Sequence, residues 1–278
     1  MSMNSFHART ARPKPGSAAR PAAARHGGVR LDALLVERGL APSRTAAQRL
    51  IESGRVKVGA GATALLKPAQ VLDPHVGLVV VPAETAEYVS RGGLKLSGAL
   101  LQTGIDVHGR VCLDIGQSTG GFTDCLLQHG ATQVVGIDVG HGQLHAAIAA
   151  DPRVESHEGI NARDLQNSAL ATRHPGRQFD LIVADVSFIS LTLIIPQLPP
   201  LLTKSGDLLL LVKPQFEVGP ENVGKGGIVT DASRYPVVRD RLAACCAAHH
   251  LAVSDWFASP ITGADGNREF FLHARHAN

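Results

Sequence analysis

Five short apolar runs recur through the second part of the chain, and stretches of helical or turn character separate them. Continuous apolar strands that alternate with helices are typical of a parallel sheet covered on both faces. Two of the intervening helices are predicted at 121–129 and 234–249. The pattern therefore predicts an α/β domain over 95–278. Its predicted strands are Val111–Ile115, Gln133–Asp138, 181–185, 208–212 and 270–273.

A smaller pattern precedes this domain. Apolar residues recur at helical spacing over 30–38, and Gly39 ends the predicted helix. A second helix begins after Ser43, whose side chain is a suitable N-cap, and ends at Gly54. Residues 30–83 are therefore predicted to form a small α+β domain. The short alternating runs that predict its strands are 55–58, 71–72 and 78–81.

The remaining segments differ in composition. The first 30 residues carry six basic side chains, no acidic side chain and no hydrophobic period. We predict that 1–29 form a disordered basic tail, which either lies along phosphate groups or is simply solvated. Residues 84–94 contain two adjacent glycines and are predicted to be a linker. The formal net charge of +3 does not by itself indicate a nucleic-acid partner.

Cysteine usage and hydropathy exclude several classes of protein. The four cysteines include no CxxC pair, which favours a reducing compartment. No apolar run approaches the roughly 20 residues that span a bilayer, and the tail lacks the apolar core of a secretory signal. We therefore expect a cytoplasmic protein with no membrane partner and no metal site. The sequence does not indicate an oligomeric state.

A glycine-rich turn, LDIGQSTGGF at 113–122, follows the first strand of the large domain and precedes a helix. Glycine lets a ligand approach the backbone closely, as nucleotide cofactors do at such turns. The next strand ends in Asp138, where an acid can accept hydrogen bonds from ribose hydroxyls. The spacing of Gly116, Gly120 and Gly121 lacks the second glycine of a dinucleotide site, which favours S-adenosylmethionine over NAD. The alternative is a turn needed only for packing.

Four charged residues occupy positions where an open parallel sheet places its ligand-binding groups. Asp185 and Lys213 follow buried strands. Glu269 precedes a strand, and Lys95 interrupts an apolar stretch. A ribose hydroxyl must lose its proton as it attacks a methyl group, and a neutral lysine can accept that proton. We predict Lys213 as the base and Asp185 as its orienting partner. Lys95 and Glu269 would set the geometry and the charge around this base. The alternative for each of the four residues is an ordinary salt bridge at the end of a strand.

These four residues match the Lys-Asp-Lys-Glu tetrad of the FtsJ/RrmJ-like ribose 2′-O-methyltransferases. Six longer segments resemble the TlyA family of rRNA cytidine 2′-O-methyltransferases, which carries the older label hemolysin A. The resemblance implies a Rossmann-like class I methyltransferase sheet that uses S-adenosylmethionine to methylate ribosomal RNA. The segments are YVSRGGLKL (88–96), STGGFTDCL (118–126), DVGHGQL (138–144), DVSFISL (185–191), KPQFE (213–217) and GKGG (224–227).

The small domain carries a second resemblance. The segments RLD (30–32), SR (43–44) and GRVKV (54–58) resemble the RNA-binding domain first described in ribosomal protein S-four. This implies ribosomal RNA or ribosomal subunits as the partner, contacted mainly through phosphates and shape. Solvated surface charge is the alternative. The basic residues that we expect to contact RNA are Arg30, Arg44, Arg49, Arg55, Lys57 and Arg91.

The resemblance also implies cofactor contacts. Asn161 would lie beside the adenine. Gln117 stands where the family usually has a small alanine, at a place where it could alter contacts to the methionine portion of the cofactor; the sequence does not indicate whether it alters cofactor affinity. The full set of predicted cofactor-binding residues is Asp114, Gly116, Ser118, Thr119, Gly120, Gly121, Phe122, Asp138, Asn161 and Asp185.

Three rival functions are compatible with parts of the pattern. A non-enzymatic rRNA-binding assembly factor would keep the fold with an idle site, although an idle site has no use for four charged residues. A pore-forming haemolysin would need a membrane-active segment, which the sequence does not contain. An NAD-dependent enzyme would need a different glycine spacing.

Overall fold

The computed structural model describes residues 28–59, 66–81, 87–173 and 175–277. Most of the predicted basic tail, 1–27, therefore lies outside the described residues. Val29, the last residue of that predicted tail, belongs instead to a short strand, because it pairs with Leu72.

The elements of the small domain, among the described residues, are β1 (Val29–Arg30), α1 (Leu31–Glu37), α2 (Arg44–Glu52), β2 (Val56–Val58), β3 (Val71–Leu72) and β4 (Leu78–Val80). β1 pairs with β3, and β2 pairs with β4, both in antiparallel fashion. Ser43 caps α2 as predicted, because its Oγ accepts a hydrogen bond from the Ala46 amide at 3.1 Å. Apolar side chains of both helices, such as Leu35 and Ile51, form the core of this domain.

The elements of the large domain are α3 (Arg91–Thr103), β5 (Val111–Ile115), α4 (Gly121–Gln128), β6 (Gln133–Asp138), α5 (Ala146–Ala149), β7 (Val154–Glu158), α6 (Ala169–Arg173), β8 (Phe179–Ala184), β9 (Leu202–Val212), α7 (Arg234–Ala248), β10 (Leu251–Ala258) and β11 (Phe270–His276). Its seven strands form one sheet in the order β10-β11-β9-β8-β5-β6-β7. Across the part of the chain that the structure describes, no helix is long and apolar enough to cross a membrane.

The sheet is parallel only in part. Four of the five predicted strands, β5, β6, β8 and β9, are parallel as predicted, and they are joined by β7, which was not among the predicted strands. The fifth predicted strand, 270–273, lies in β11 and departs from the predicted parallel arrangement. β11 pairs antiparallel with β9, and β10 pairs antiparallel with β11. β10 and β11 are consecutive in the chain and adjacent in the sheet, and a direct connection without a crossover helix gives antiparallel neighbours. The sequence pattern missed β10 because Ser254 and Asp255 interrupt its apolar run.

Alternate residues of the central strands enter cores on opposite faces of the sheet. Leu113 and Ile115 belong to the core that α7 covers. Cys112 and Leu181 belong to the core that α3 and α4 cover, through side chains such as Leu96. Because both faces are covered, polar groups can gather only at the edges, above all at the carboxyl ends of the parallel strands.

The predicted linker at 84–94 ends in a helix rather than in a flexible turn. α3 begins at Arg91, and Ser90 Oγ accepts a hydrogen bond from the Gly92 amide at 3.3 Å. A Cβ atom on Gly93 would lie 2.2 Å from Cγ of Tyr88. These glycines are therefore needed for close packing against the start of α3, and not for flexibility.

Candidate active site

The glycine-rich turn lies at the end of β5, against the end of β8. Gly116 has a φ of +83°, a left-handed conformation that favours glycine. A Cβ atom at this position would lie 2.5 Å from the Asp185 carbonyl oxygen. The Asp185 amide in turn donates a hydrogen bond to the Ile115 carbonyl at 2.9 Å. The turn is therefore in direct contact with the residue that follows β8.

Asp138 lies at the end of β6, beside this turn. Its Oδ2 accepts a hydrogen bond from the Ser118 amide at 2.8 Å, and its Oδ1 accepts one from the Gly140 amide at 2.7 Å. Each carboxylate oxygen has a further lone pair, so the group can still accept hydrogen bonds from a ligand. Asn161 lies next to this position, because the Ile160 amide donates to the Asp138 carbonyl at 3.0 Å.

The rest of the turn passes into α4. The Thr119 carbonyl accepts a hydrogen bond from the His145 amide at 3.2 Å, which holds the turn against the start of α5. Gly120 precedes α4 with a φ of +93°. A Cβ atom on Gly121 would lie 2.0 Å from Ser90 Oγ. The first residue of α4 therefore packs directly on the junction that leads into α3.

Phe122 does not line the ligand side of the turn. Its ring is buried in the core under α3 and α4, and it stacks with Phe271 at a centroid distance of 6.3 Å. The prediction of Phe122 as a cofactor contact is therefore wrong for its side chain. Phe122 lies on the apolar face of the amphipathic helix α4, and this face packs into the core.

The four predicted catalytic residues form two ion pairs. Lys213 Nζ is 2.6 Å from Asp185 Oδ1, and Lys95 Nζ is 2.6 Å from Glu269 Oε2. Lys213 Nζ also donates a hydrogen bond to Ser187 Oγ at 2.8 Å. The positive charges of Lys213 and Lys95 both lower the pKa of Asp185, so the two ion pairs are neighbours. The structure thus brings the four groups together at the carboxyl ends of β8 and β9.

The two carboxyl groups of these pairs have opposite pKa shifts. Burial raises the pKa of Asp185, but the ammonium groups of Lys213 and Lys95 outweigh burial, and the net pKa is lowered. Burial raises the pKa of Glu269, and the ammonium group of Lys95 does not offset it. Asp185 is therefore the firmly ionised carboxylate beside Lys213, and Glu269 is the group that takes up a proton more readily.

Asp114 lies on β5 just before the turn and is fully buried. Burial raises its pKa to about 7. Thr123 Oγ1 donates a hydrogen bond to its Oδ2 at 2.7 Å. Its Oδ1 has no hydrogen-bond partner among the described residues. A polar group of a ligand at the turn would therefore find an unsatisfied oxygen beneath it.

Asp114 makes folding stability depend on pH. Because its pKa in the folded state, about 7, lies above the ordinary 3.8, its contribution to stability is fully present below about pH 4 and is lost as pH rises to about 7. We expect Asp114→Asn to lose less stability than the wild type between pH 5 and pH 8. Urea midpoints at the two pH values measure this difference. An identical decline in both proteins would contradict the assignment.

Gln117 has contacts inside the protein that the sequence did not indicate. Its side chain is buried beneath the turn, where Nε2 donates to Thr123 Oγ1 at 3.0 Å and Oε1 accepts from Ser156 Oγ at 2.7 Å. A Cβ atom on Gly136 would lie 2.0 Å from the Gln117 side chain, so glycine in β6 makes the space that the amide fills. Gln117 therefore ties the turn to the sheet and does not point toward a cofactor.

We expect Gln117→Ala to leave cofactor affinity nearly unchanged but to destabilise the fold. The substitution removes two buried hydrogen bonds and leaves a cavity, which costs about 2–4 kcal/mol in unfolding free energy. Isothermal titration with S-adenosylmethionine and urea denaturation measure the two quantities separately. A loss of cofactor affinity with no loss of stability would instead indicate that Gln117 contacts the methionine portion of the cofactor.

The predicted RNA contacts on the small domain differ in their surroundings. Arg49 and Lys57 are exposed. Arg55 is half-buried, and its Nε donates a hydrogen bond to the Val81 carbonyl at 2.9 Å. The remaining two, Arg30 and Arg44, both bind the side chain of one aspartate in α1.

Arg91 lies between the two domains. Its guanidinium donates a hydrogen bond to the Thr262 carbonyl at 3.0 Å in the large domain. On the other side, a Cβ atom on Gly54 of the small domain would lie 2.9 Å from Cγ of Arg91. Burial lowers the pKa of this arginine. In the structure Arg91 serves as a contact between domains, a role that the sequence pattern did not indicate.

Sequence reasoning did not single out three residues in the segments that follow β8 and β9. Ser187 contacts the lysine of one pair, as described above. Phe188 is 87% exposed with a φ of +64°, and its ring lies 5.1 Å from that of Phe216. Glu217 is buried and accepts a hydrogen bond from the Leu191 amide at 2.7 Å, which joins the segments after β8 and β9. The available signal was that all three lie within five residues of the end of a buried strand.

Two family models match the chain. An FtsJ-like methyltransferase model matches residues 88–276, and an S4 domain model matches residues 29–59. The two matches correspond to the large sheet and to the first part of the small domain.

Proteins of known name are similar over most of their length. The 16S/23S rRNA (cytidine-2′-O)-methyltransferase TlyA of Mycobacterium tuberculosis is 45% identical over 250 residues, which cover 89% of this chain and 90% of that protein. Hemolysin A of Brachyspira hyodysenteriae is 39% identical over 246 residues, covering 88% and 99%. A solved structure from Streptococcus thermophilus, described as a candidate hemolysin, is 37% identical with a TM-score of 0.68 and covers 91% of this chain and 90% of that one.

Proposed function

Because the chain belongs to the FtsJ-like methyltransferase family and carries an S4 domain ahead of the matching region, we propose that it methylates ribosomal RNA. The substrate group is the ribose 2′-hydroxyl of cytidine, and the methyl donor is S-adenosylmethionine. The observation that supports this most strongly is the pairing of Lys213 with Asp185 where β8 meets the glycine turn. The pairing places a potential proton acceptor beside a turn suited to a nucleoside cofactor.

S-adenosylmethionine fits the residues around the turn. Asp138 retains lone pairs for ribose hydroxyls, and Asp114 has an unsatisfied oxygen. Gly116 lets the turn pass close to the end of β8, next to Asp185. The carboxylate of Asp185, whose pKa is lowered, complements the positive charge of the methyl donor. When bound, the cofactor supplies an electrophilic methyl group on a sulfonium centre.

Lys213 is the residue that we assign as the general base. In its neutral form, Lys213 Nζ would accept the proton of the 2′-hydroxyl as the oxygen bonds to the methyl carbon and the donor sulfur leaves as a thioether. Asp185 orients Nζ through the 2.6 Å ion pair. Ser187 Oγ can accept a hydrogen bond from the ammonium and donate one to the neutral amine, so it can hold Nζ in both protonation states. Lys95 and Glu269 provide the neighbouring charges of the site.

RNA binding is assigned to both domains. The small domain anchors ribosomal RNA through its basic side chains, which is consistent with the matching S4 domain. In the large domain, Phe188 offers an exposed ring beside the two ion pairs, and unpaired bases stack on such rings. A ribosomal substrate would place the protein in the cytoplasm.

The experiment that tests this function is a transfer assay. Purified protein is incubated with methyl-labelled S-adenosylmethionine and with separated ribosomal subunits from a strain that lacks the gene. We expect label in the ribose of one or more cytidines. Nuclease digestion and mass spectrometry identify the modified nucleoside.

Two outcomes would count against the proposal. Label on a base or on a protein would exclude ribose methylation. Absence of label despite measurable binding to subunits would favour the assembly-factor function. As a matched control, Lys204→Ala removes an exposed lysine at the opposite end of β9 and should transfer label like the wild type.

A further inference from the structure

One carboxylate of the small domain is enclosed by side chains of its neighbours. Asp32, in the first turn of α1, is 0% exposed. Arg30 donates to it through Nε at 3.0 Å and Nη2 at 2.9 Å. Arg44 donates through Nη2 at 3.0 Å, and Gln48 through Nε2 at 3.1 Å. The carboxylate is therefore covered by polar side chains from β1 and α2, which it joins to α1.

The charges of this cluster do not balance. Two guanidinium groups share a single carboxylate, so the cluster keeps one net positive charge. The hydrogen bonds from Arg30 hold the pKa of Asp32 well below its usual range, and Gln48 and Arg44 add to the effect. The cluster is therefore fully ionised at neutral pH.

The position of Arg44 is also unfavourable for its own helix. Arg44 is the first residue of α2, and the first turn of that helix contains no acidic residue. The positive end of the helix dipole lies there and repels a cation. Asp32 offsets this repulsion by binding Arg44 from the neighbouring helix. The arrangement concentrates positive charge at one point of the surface.

Both arginines keep unused donors toward solvent. Arg30 and Arg44 are 46% and 58% exposed, respectively. Their Nη2 atoms bind the same oxygen, Oδ2 of Asp32, so the two guanidinium groups lie side by side. Each guanidinium has five N–H donors, of which the carboxylate takes only one or two. Two adjacent guanidinium forks match the oxygens of one phosphate.

We propose that Asp32 is a positioning residue for RNA binding: it holds Arg30 and Arg44 as a paired donor site for one backbone phosphate of ribosomal RNA. The proposal rests on the rRNA substrate proposed above. Asp32 itself does not contact the RNA and has the wrong charge to do so. Its role is to reduce the entropy that the two long side chains lose when they bind a phosphate.

The large domain offers a matched control. Arg153 binds Asp151 through Nε at 3.0 Å and Nη2 at 2.8 Å, the same two-point contact that Arg30 makes. Only one arginine is involved there, so the charges balance. Asp151→Asn and Asp32→Asn each remove one negative charge from the full-length protein. Asp32→Asn releases a pair of arginines from a buried carboxylate, whereas Asp151→Asn releases one arginine from a partly exposed carboxylate.

The test measures binding of full-length protein to separated ribosomal subunits across a range of salt concentrations. Asp32→Asn should bind about 5- to 10-fold more weakly, and its salt slope should fall by about one. Asp151→Asn should bind as the wild type or slightly more tightly, because net charge becomes more positive. If net charge alone governed binding, Asp32→Asn would also bind more tightly, and that result would overturn the proposal.

Arg44→Lys provides a second variant that leaves the buried Asp32 unchanged. Lysine keeps the charge but lacks the planar fork, so weaker binding is expected from this variant too. Wild-type binding by Arg44→Lys would overturn the paired-donor site even if Asp32→Asn failed to fold. The double variant Arg30→Ala/Arg44→Ala should remove any further effect of Asp32→Asn.

The same variants separate this proposal from the proposed function. If Arg30→Ala/Arg44→Ala binds subunits normally while the wild type still labels cytidine ribose, the positioning role fails and the enzymatic function stands. If the wild type neither labels RNA nor binds subunits, the proposed function itself is contradicted, whatever the role of Asp32.

Discussion

We expect Lys213→Ala to lower methyl transfer by about 100- to 10,000-fold, the range that a general base contributes. Asp185 and Ser187 remain in place, but neither can replace the lysine. Removing Lys213 also removes a charge that lowers the pKa of Asp185, but a carboxylate remains a weaker base than a neutral amine. The affinity for S-adenosylmethionine should change little, because Lys213 follows β9 whereas the cofactor turn follows β5. Single-turnover transfer and calorimetric titration measure the two quantities.

A conservative variant distinguishes the base from a merely cationic group. Lys213→Arg keeps a positive charge beside Asp185, but arginine does not give up its proton in proteins. We therefore expect Lys213→Arg to be as inactive as Lys213→Ala. Transfer near the wild-type rate in the arginine variant would remove Lys213 from the base role, and would leave electrostatic stabilisation as its contribution.

The second large effect is expected at Gly116. A Cβ atom there would lie 2.5 Å from the Asp185 carbonyl oxygen, which is a backbone atom and cannot rotate away. Gly116→Ala must therefore push apart the cofactor turn and the residue that orients the base. Because displacements of about 1 Å cost about 100-fold in rate, we expect transfer to fall by at least that factor, with weaker cofactor binding. Steady-state kinetics and titration with the cofactor measure both.

Gly109→Ala is the matched control for this substitution. Gly109 has a φ of +77°, close to the +83° of Gly116, but its Cβ atom would meet nothing within 4 Å. Both variants bear the same left-handed strain, of about 1–2 kcal/mol. Only Gly116→Ala also forces the backbone contact. Equal activity of the two variants would show that the contact between the turn and β8 is not needed for function.

The parts of the fold that were visible in the sequence share one physical property. β5 and β6 have the predicted bounds because both faces of these strands are buried, so their apolar runs are unbroken. β10 lies at the edge of the sheet, where one side tolerates Ser254 and Asp255, and the pattern disappears. Sequence patterns therefore predicted the centre of the sheet and missed its edge.

The residues of the candidate site likewise divide into those that the sequence indicates and those that it does not. A charge that directly follows a buried strand, such as Asp185 or Lys213, is visible in the sequence because apolar residues surround it. The contacts of Gln117 are not visible, because they depend on the space that Gly136 leaves in the neighbouring strand. The enclosure of Asp32 by residues of β1 and α2 is likewise a property of packing, which no local pattern contains.

The position of β11 between β9 and β10 has a consequence for the order of events during synthesis. Glu269, which pairs with Lys95, reaches its place only when β11 enters the sheet. The small domain consists of contacts that are local in sequence and can form early, whereas this ion pair joins distant parts of the chain. A nascent polypeptide can therefore fold its RNA-binding module well before its charged tetrad is complete. Catalytic competence is acquired late, after most of the chain has left the ribosome that makes it.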